Sequence, residues 1–107
     1  MKIGFDISQT GKSKAGCGFF AEGLIHHLAE IDHQNEYILY PTFGDFFFDP
    51  DNERYRSNQK NIQFGLSHRS LKEAHLFWSH PPMNYEAMLG NPDIIHANNF
   101  CCPSKLK

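Results

Sequence analysis

Lys2-Ile3-Gly4-Phe5-Asp6-Ile7 decides the fold: apolar Ile3, Phe5 and Ile7 alternate with Gly4 and Asp6, the period-two signature of a strand. Ser8 to Gly16, next in the chain, is rich in Ser, Gly, Thr and Lys, which predicts a flexible loop. From Gly18 the period becomes helical, with Phe20, Leu24, Leu28 and Ile31 at steps of four, four and three. Ile25 widens that stripe, and Glu22, His26 and Glu30 fall on another face. Asp32-His33-Gln34-Asn35 stops the helix, and Glu36-Tyr37-Ile38-Leu39-Tyr40 predicts a second strand that Pro41 ends. Strand, helix and strand in this space make a βαβ unit, whose crossover is expected to be right-handed.

Further along, Thr42 to Lys60 mixes Gly44, Pro50, charged residues and the run Phe46-Phe47-Phe48, a long excursion from the core. Asn61-Ile62-Gln63-Phe64 predicts a short third strand. Ser70 to Ser79 predicts a helix, with Leu71, Ala74, His75 and Trp78 at helical spacing and Pro81-Pro82 ending it. A short helix around Tyr85 to Leu89 leads through Gly90-Asn91-Pro92 to a last strand at Asp93 to Ala97. A parallel strand needs a crossover to reach its successor, and none comes before Lys107. The expectation is an α/β, Rossmann-like parallel sheet, incomplete at its C-terminal end.

Composition narrows the classes. At 107 residues there is room for one small domain, and 40% hydrophobic with 14% aromatic residues is a globular balance. A formal net charge of −2 offers no broad basic surface, so nucleic acid is not an expected partner. Cys17, Cys101 and Cys102 form neither an even framework nor a Cys-x-x-Cys pair, which favours a reducing, cytoplasmic setting. No run approaches the roughly 18 apolar residues of a membrane span. No apolar signal region follows Lys2, because Asp6 and a polar stretch come at once. Phe46-Phe47-Phe48 leaves room for peripheral membrane contact, although Asp45, Asp49 and Asp51 beside it would repel anionic lipid. A cluster of His26, His27, His33 and Asp32 invites a metal reading. Adjacent helical histidines point apart, however, and a solvated face is the expectation.

Gly16-Cys17-Gly18-Phe19-Phe20-Ala21 fits Gly-x-Gly-x-x-Ala at the opening of a helix. Glycines let the backbone approach a phosphate, and free N–H groups at a helix start attract an anion. A nicotinamide cofactor would also want the glycines tight behind the strand and an acid about 20 residues on. Here a loop intervenes, and Ile38 to Thr42 carries no carboxylate. A dinucleotide-binding fragment is therefore only an alternative.

Taken in order, four stretches resemble the N-terminal domain of family 4 glycosyltransferases: Met1 to Ile7; Gly16-Cys17-Gly18-Phe19-Phe20; Asp32-His33-Gln34-Asn35-Glu36-Tyr37; and Asp93-Ile94-Ile95-His96-Ala97-Asn98-Asn99-Phe100 with Pro103. The departures are Cys17, where an aliphatic residue is usual, and Phe19, where Arg or Trp is common. Such enzymes have the GT-B fold, retain anomeric configuration and move a sugar from a nucleotide-sugar donor to a glycan, lipid or small-molecule acceptor. The resemblance implies a partial acceptor-side domain over residues 1–107, with the catalytic C-terminal domain absent. It implies no catalytic residue in this chain and no cofactor or metal, since positive groups of the second domain hold the donor diphosphate. The alternative from another class is a non-catalytic remnant or interaction fragment.

In a doubly wound sheet of order 3-2-1-4, the ligand crevice opens between the carboxyl ends of strands one and four. The substrate- or phosphate-binding candidates are accordingly Gly16, Cys17 and Gly18 on one side and His96, Asn98 and Asn99 on the other. Each has an ordinary alternative: a tight helix entry for the glycines, a histidine tied to backbone, asparagines shaping a turn. Asp6 is expected to anchor the loop after its strand.

Overall fold

The computed structural model describes residues 1–11, 16–42 and 54–97. Phe46 to Phe48, Asn98, Asn99, Cys101 and Cys102 lie outside the described residues. The described residues form, in chain order, β1 (Lys2–Asp6), α1 (Gly16–Ile31), β2 (Glu36–Tyr40), β3 (Ile62–Phe64), α2 (Leu71–Ser79), α3 (Tyr85–Met88) and β4 (Ile94–His96). These strands make one sheet in the order β3-β2-β1-β4, with every pairing parallel. The register sets Gly4 against Ile38 on one side and against Ile95 on the other.

Strand alternation divides the core in two. On one face Phe5, Ile7, Tyr37, Leu39 and Ile62 pack with Ala21, Ile25 and Ala29 of α1. On the other, Ile38 and Tyr40 pack with Ala74, Phe77 and Trp78 of α2 and with Tyr85 and Leu89 at α3. Helices thus cover both faces, the arrangement parallel sheets require.

Two helical faces differ from the sequence expectation. The sheet-facing row of α1 is Gly18, Ala21, Ile25 and Ala29, whereas the larger Phe20 and Ile31 remain exposed. Small residues let the helix lie close on the sheet, and this turns the row of large ones aside. In α2 the buried residues are Ala74, Phe77 and Trp78, while Leu71 and His75 are exposed. The start of α1 also comes two residues before Gly18, at Gly16.

Tyr40 locks the lower layer. Its hydroxyl donates to the Leu89 carbonyl at 2.6 Å, and its ring occupies space that side chains at Gly4 and Gly65 would otherwise take. A Cβ at Gly4 would stand 2.6 Å from Tyr40 Cε2, and one at Gly65 2.9 Å from Tyr40 Cε1. Burial pushes the Tyr40 phenol well above its ordinary pKa. Gly90, at φ +90°, turns the chain after α3 toward β4.

At the amino ends of the strands, Asp32 closes α1 onto β2. Its carboxylate accepts from the Gln34 and Asn35 backbone N–H groups, from Asn35 Nδ2, and from the Tyr37 hydroxyl at 2.6 Å. Asn61 Nδ2 donates to the carbonyls of Asp32 and Asn35, tying the approach to β3 into the same turn.

Candidate functional site

The carboxyl edge of the sheet begins where β1 runs into Asp6. That side chain is fully buried, and its Oδ1 accepts from Ser8 N at 2.8 Å and Ser8 Oγ at 2.6 Å. Gln9 Nε2 donates to Oδ2 at 3.1 Å. Asp6 therefore anchors the loop, as its position outside the apolar row of β1 implies. The Thr10 hydroxyl donates to the Ile7 carbonyl at 2.7 Å and accepts from Tyr55 N at 2.9 Å. Ser8, Gln9 and Thr10 are all buried. The expected flexible loop is, over this part, a buried platform in which Ser8, Thr10 and Gln9 Nε2 bond inward, while Gln9 Oε1 is buried without a hydrogen-bond partner.

Arg54 completes the platform. It is about nine-tenths buried, and its Nε donates to the Ser8 carbonyl at 3.1 Å. Sequence reasoning passed over it because nothing in the Thr42 to Lys60 excursion marks one arginine as returning to the end of β1. The contact spans 46 positions. The signal is a buried guanidinium beside the platform, and it is visible in three dimensions alone.

From this platform the chain enters α1. Glu22 reaches back to accept from Gly11 N at 3.4 Å. Gly16 and Cys17 are exposed and Gly18 is buried in the first turn, so Gly18 packs toward the sheet while the first two residues face outward. The leading N–H groups of an α-helix lack intrahelical acceptors, and α1 has no acidic side chain in its first turn to supply one. That geometry suits an anion.

His96 stands at the end of β4, paired in register with Phe5. Its ring stacks on Phe5, centroids 4.9 Å apart and planes 14° from parallel. β1 and β4 are direct neighbours, so His96 and the Asp6 platform share one end of the sheet. Of the sequence-predicted residues, Gly16, Cys17 and Gly18 open the helix that follows β1 in the chain, and His96 ends β4 beside the end of β1; Asn98 and Asn99 are outside the described residues.

A second histidine occupies the same edge farther out. His68 comes after β3, and its backbone N–H donates to Thr42 Oγ1 at 2.9 Å while its Nδ1 lies 3.2 Å from that oxygen. Phe77 and Trp78 enclose the ring, and this burial lowers its pKa below the usual histidine value. At the opposite, amino end, Lys2, Glu36, Tyr37, Lys60, Asn61 and Gln63 line an open depression of about 290 Å³.

Among the described residues, no group of three or more His, Cys, Asp or Glu side chains is placed to hold a metal ion. No described helix is long and apolar enough to cross a membrane. No family model, curated protein or solved structure matches the chain.

Proposed function

We propose that this chain is the acceptor-side, Rossmann-like part of a retaining glycosyltransferase of GT-B fold, acting in the cytoplasm on a nucleotide-sugar donor. The supporting observation is the parallel pairing of β1 with β4. It sets the entry to α1 and His96 at neighbouring strand ends, where a doubly wound sheet takes its ligand. The ordered resemblance of four stretches, from Met1 to Pro103, adds the chemistry.

In this reading the first-turn N–H groups of Gly16, Cys17 and Gly18 receive a phosphate or sugar oxygen. The helix dipole adds about 0.3–1 kcal/mol per charge at such an exposed site, enough to orient a ligand. His96, held flat against Phe5, presents its ring nitrogens to sugar hydroxyls. Asp6 and Arg54 act one step back, keeping the Ser8–Thr10 platform in place. The bond-breaking step needs groups held across a cleft, with positive charge on the leaving diphosphate, and those belong to a second domain. The nicotinamide alternative gains no support, because β2 ends in Tyr40-Pro41-Thr42 with no carboxylate for a ribose.

Two assays on the purified chain test the proposal. Calorimetric titration with nucleotide sugars and sugar phosphates is expected to show saturable binding that Gly16→Glu, a change at an exposed position where a Cβ meets nothing within 4 Å, abolishes while circular dichroism stays unchanged. Incubation with donor and acceptor is expected to give no transfer. Absence of binding to any such ligand would contradict the proposal, and transfer above a no-protein control would contradict the assignment of catalysis to a second domain.

A further inference from the structure

We draw no further inference here: the strongest candidate, the open polar depression at the amino end of the sheet between Lys2 and Lys60, is lined by side chains that are either exposed, as Glu36, Lys60 and Gln63 are, or already bonded within the fold, as Lys2, Tyr37 and Asn61 are, and nothing in the structure shows what fills it.

Discussion

At the level of single residues, the tightest constraint is the slot that Tyr40 fills between Gly4 and Gly65. Any side chain at Gly4 must displace a ring held in place by its own hydrogen bond to Leu89. Gly4→Ala is therefore expected to destabilise the chain by about 1–3 kcal/mol, the usual cost of overpacking, in a denaturant titration. Asp32 governs behaviour in acid. The Tyr37 hydroxyl, then the Asn35 side chain and the Asn35 and Gln34 backbone N–H groups, hold its carboxyl well below the ordinary value of 3.8. Folding thus favours the ionised form: this stabilisation is complete above that value and is lost as pH falls toward the folded-state pKa. Tyr37 is pushed up to about 12, by burial first and then by Asp32, so its contribution holds below pH 10 and disappears as pH rises through 12. Tyr37→Phe is expected to bring the Asp32 pKa back toward 3.8 in a carboxyl NMR titration and to raise the pH of acid unfolding. An unchanged Asp32 pKa would contradict this.

Among the elements, strands were far more legible than helix faces. Ile3, Phe5 and Ile7 lie on one side because strand alternation leaves no other choice. The βαβ unit was readable because β1, α1 and β2 each show their own period. Helical rows are ambiguous where large and small apolar residues lie on adjacent strips: in α1 the large row looked like the core, but close packing on the sheet selected Gly18, Ala21 and Ala29. At α2 the residues noted at helical spacing, Leu71, Ala74, His75 and Trp78, did not include Phe77, which the helix buries beside Ala74 and Trp78. The places of Gly16 to Gly18 at the start of α1 and of His96 at the end of β4 were legible, since strand ends are set by strand order. Arg54 was not, because its contact with Ser8 joins distant segments without any local pattern. A cap tests how firmly α2 holds the lower layer. Ser70 Oγ accepts from Glu73 N at 3.2 Å, so Ser70→Ala is expected to cost about 0.5–2 kcal/mol, measured by thermal unfolding.

Across the molecule, the sheet is a platform with two unlike ends. The amino end is spent on structure: Asp32, Asn35, Tyr37 and Asn61 bond one another and leave an open polar depression between Lys2 and Lys60. The carboxyl end has its own buried supports, Asp6 and Arg54, beneath an exposed helix start. Investment of buried polar groups under a surface loop is what a binding site requires, because precise positioning depends on the layer behind it. Ligand is therefore expected at the carboxyl end, and on that expectation the proposed function rests. Its sharpest check is the set of amide chemical shifts of the uniformly labelled chain, followed while a nucleotide sugar or its sugar phosphate is added. Saturable shifts are expected at Ser8 to Thr10, at Gly16 to Gly18 and at His96. Shifts confined to Lys2, Glu36, Lys60 and Gln63 at the other end, or none that saturate, would contradict it.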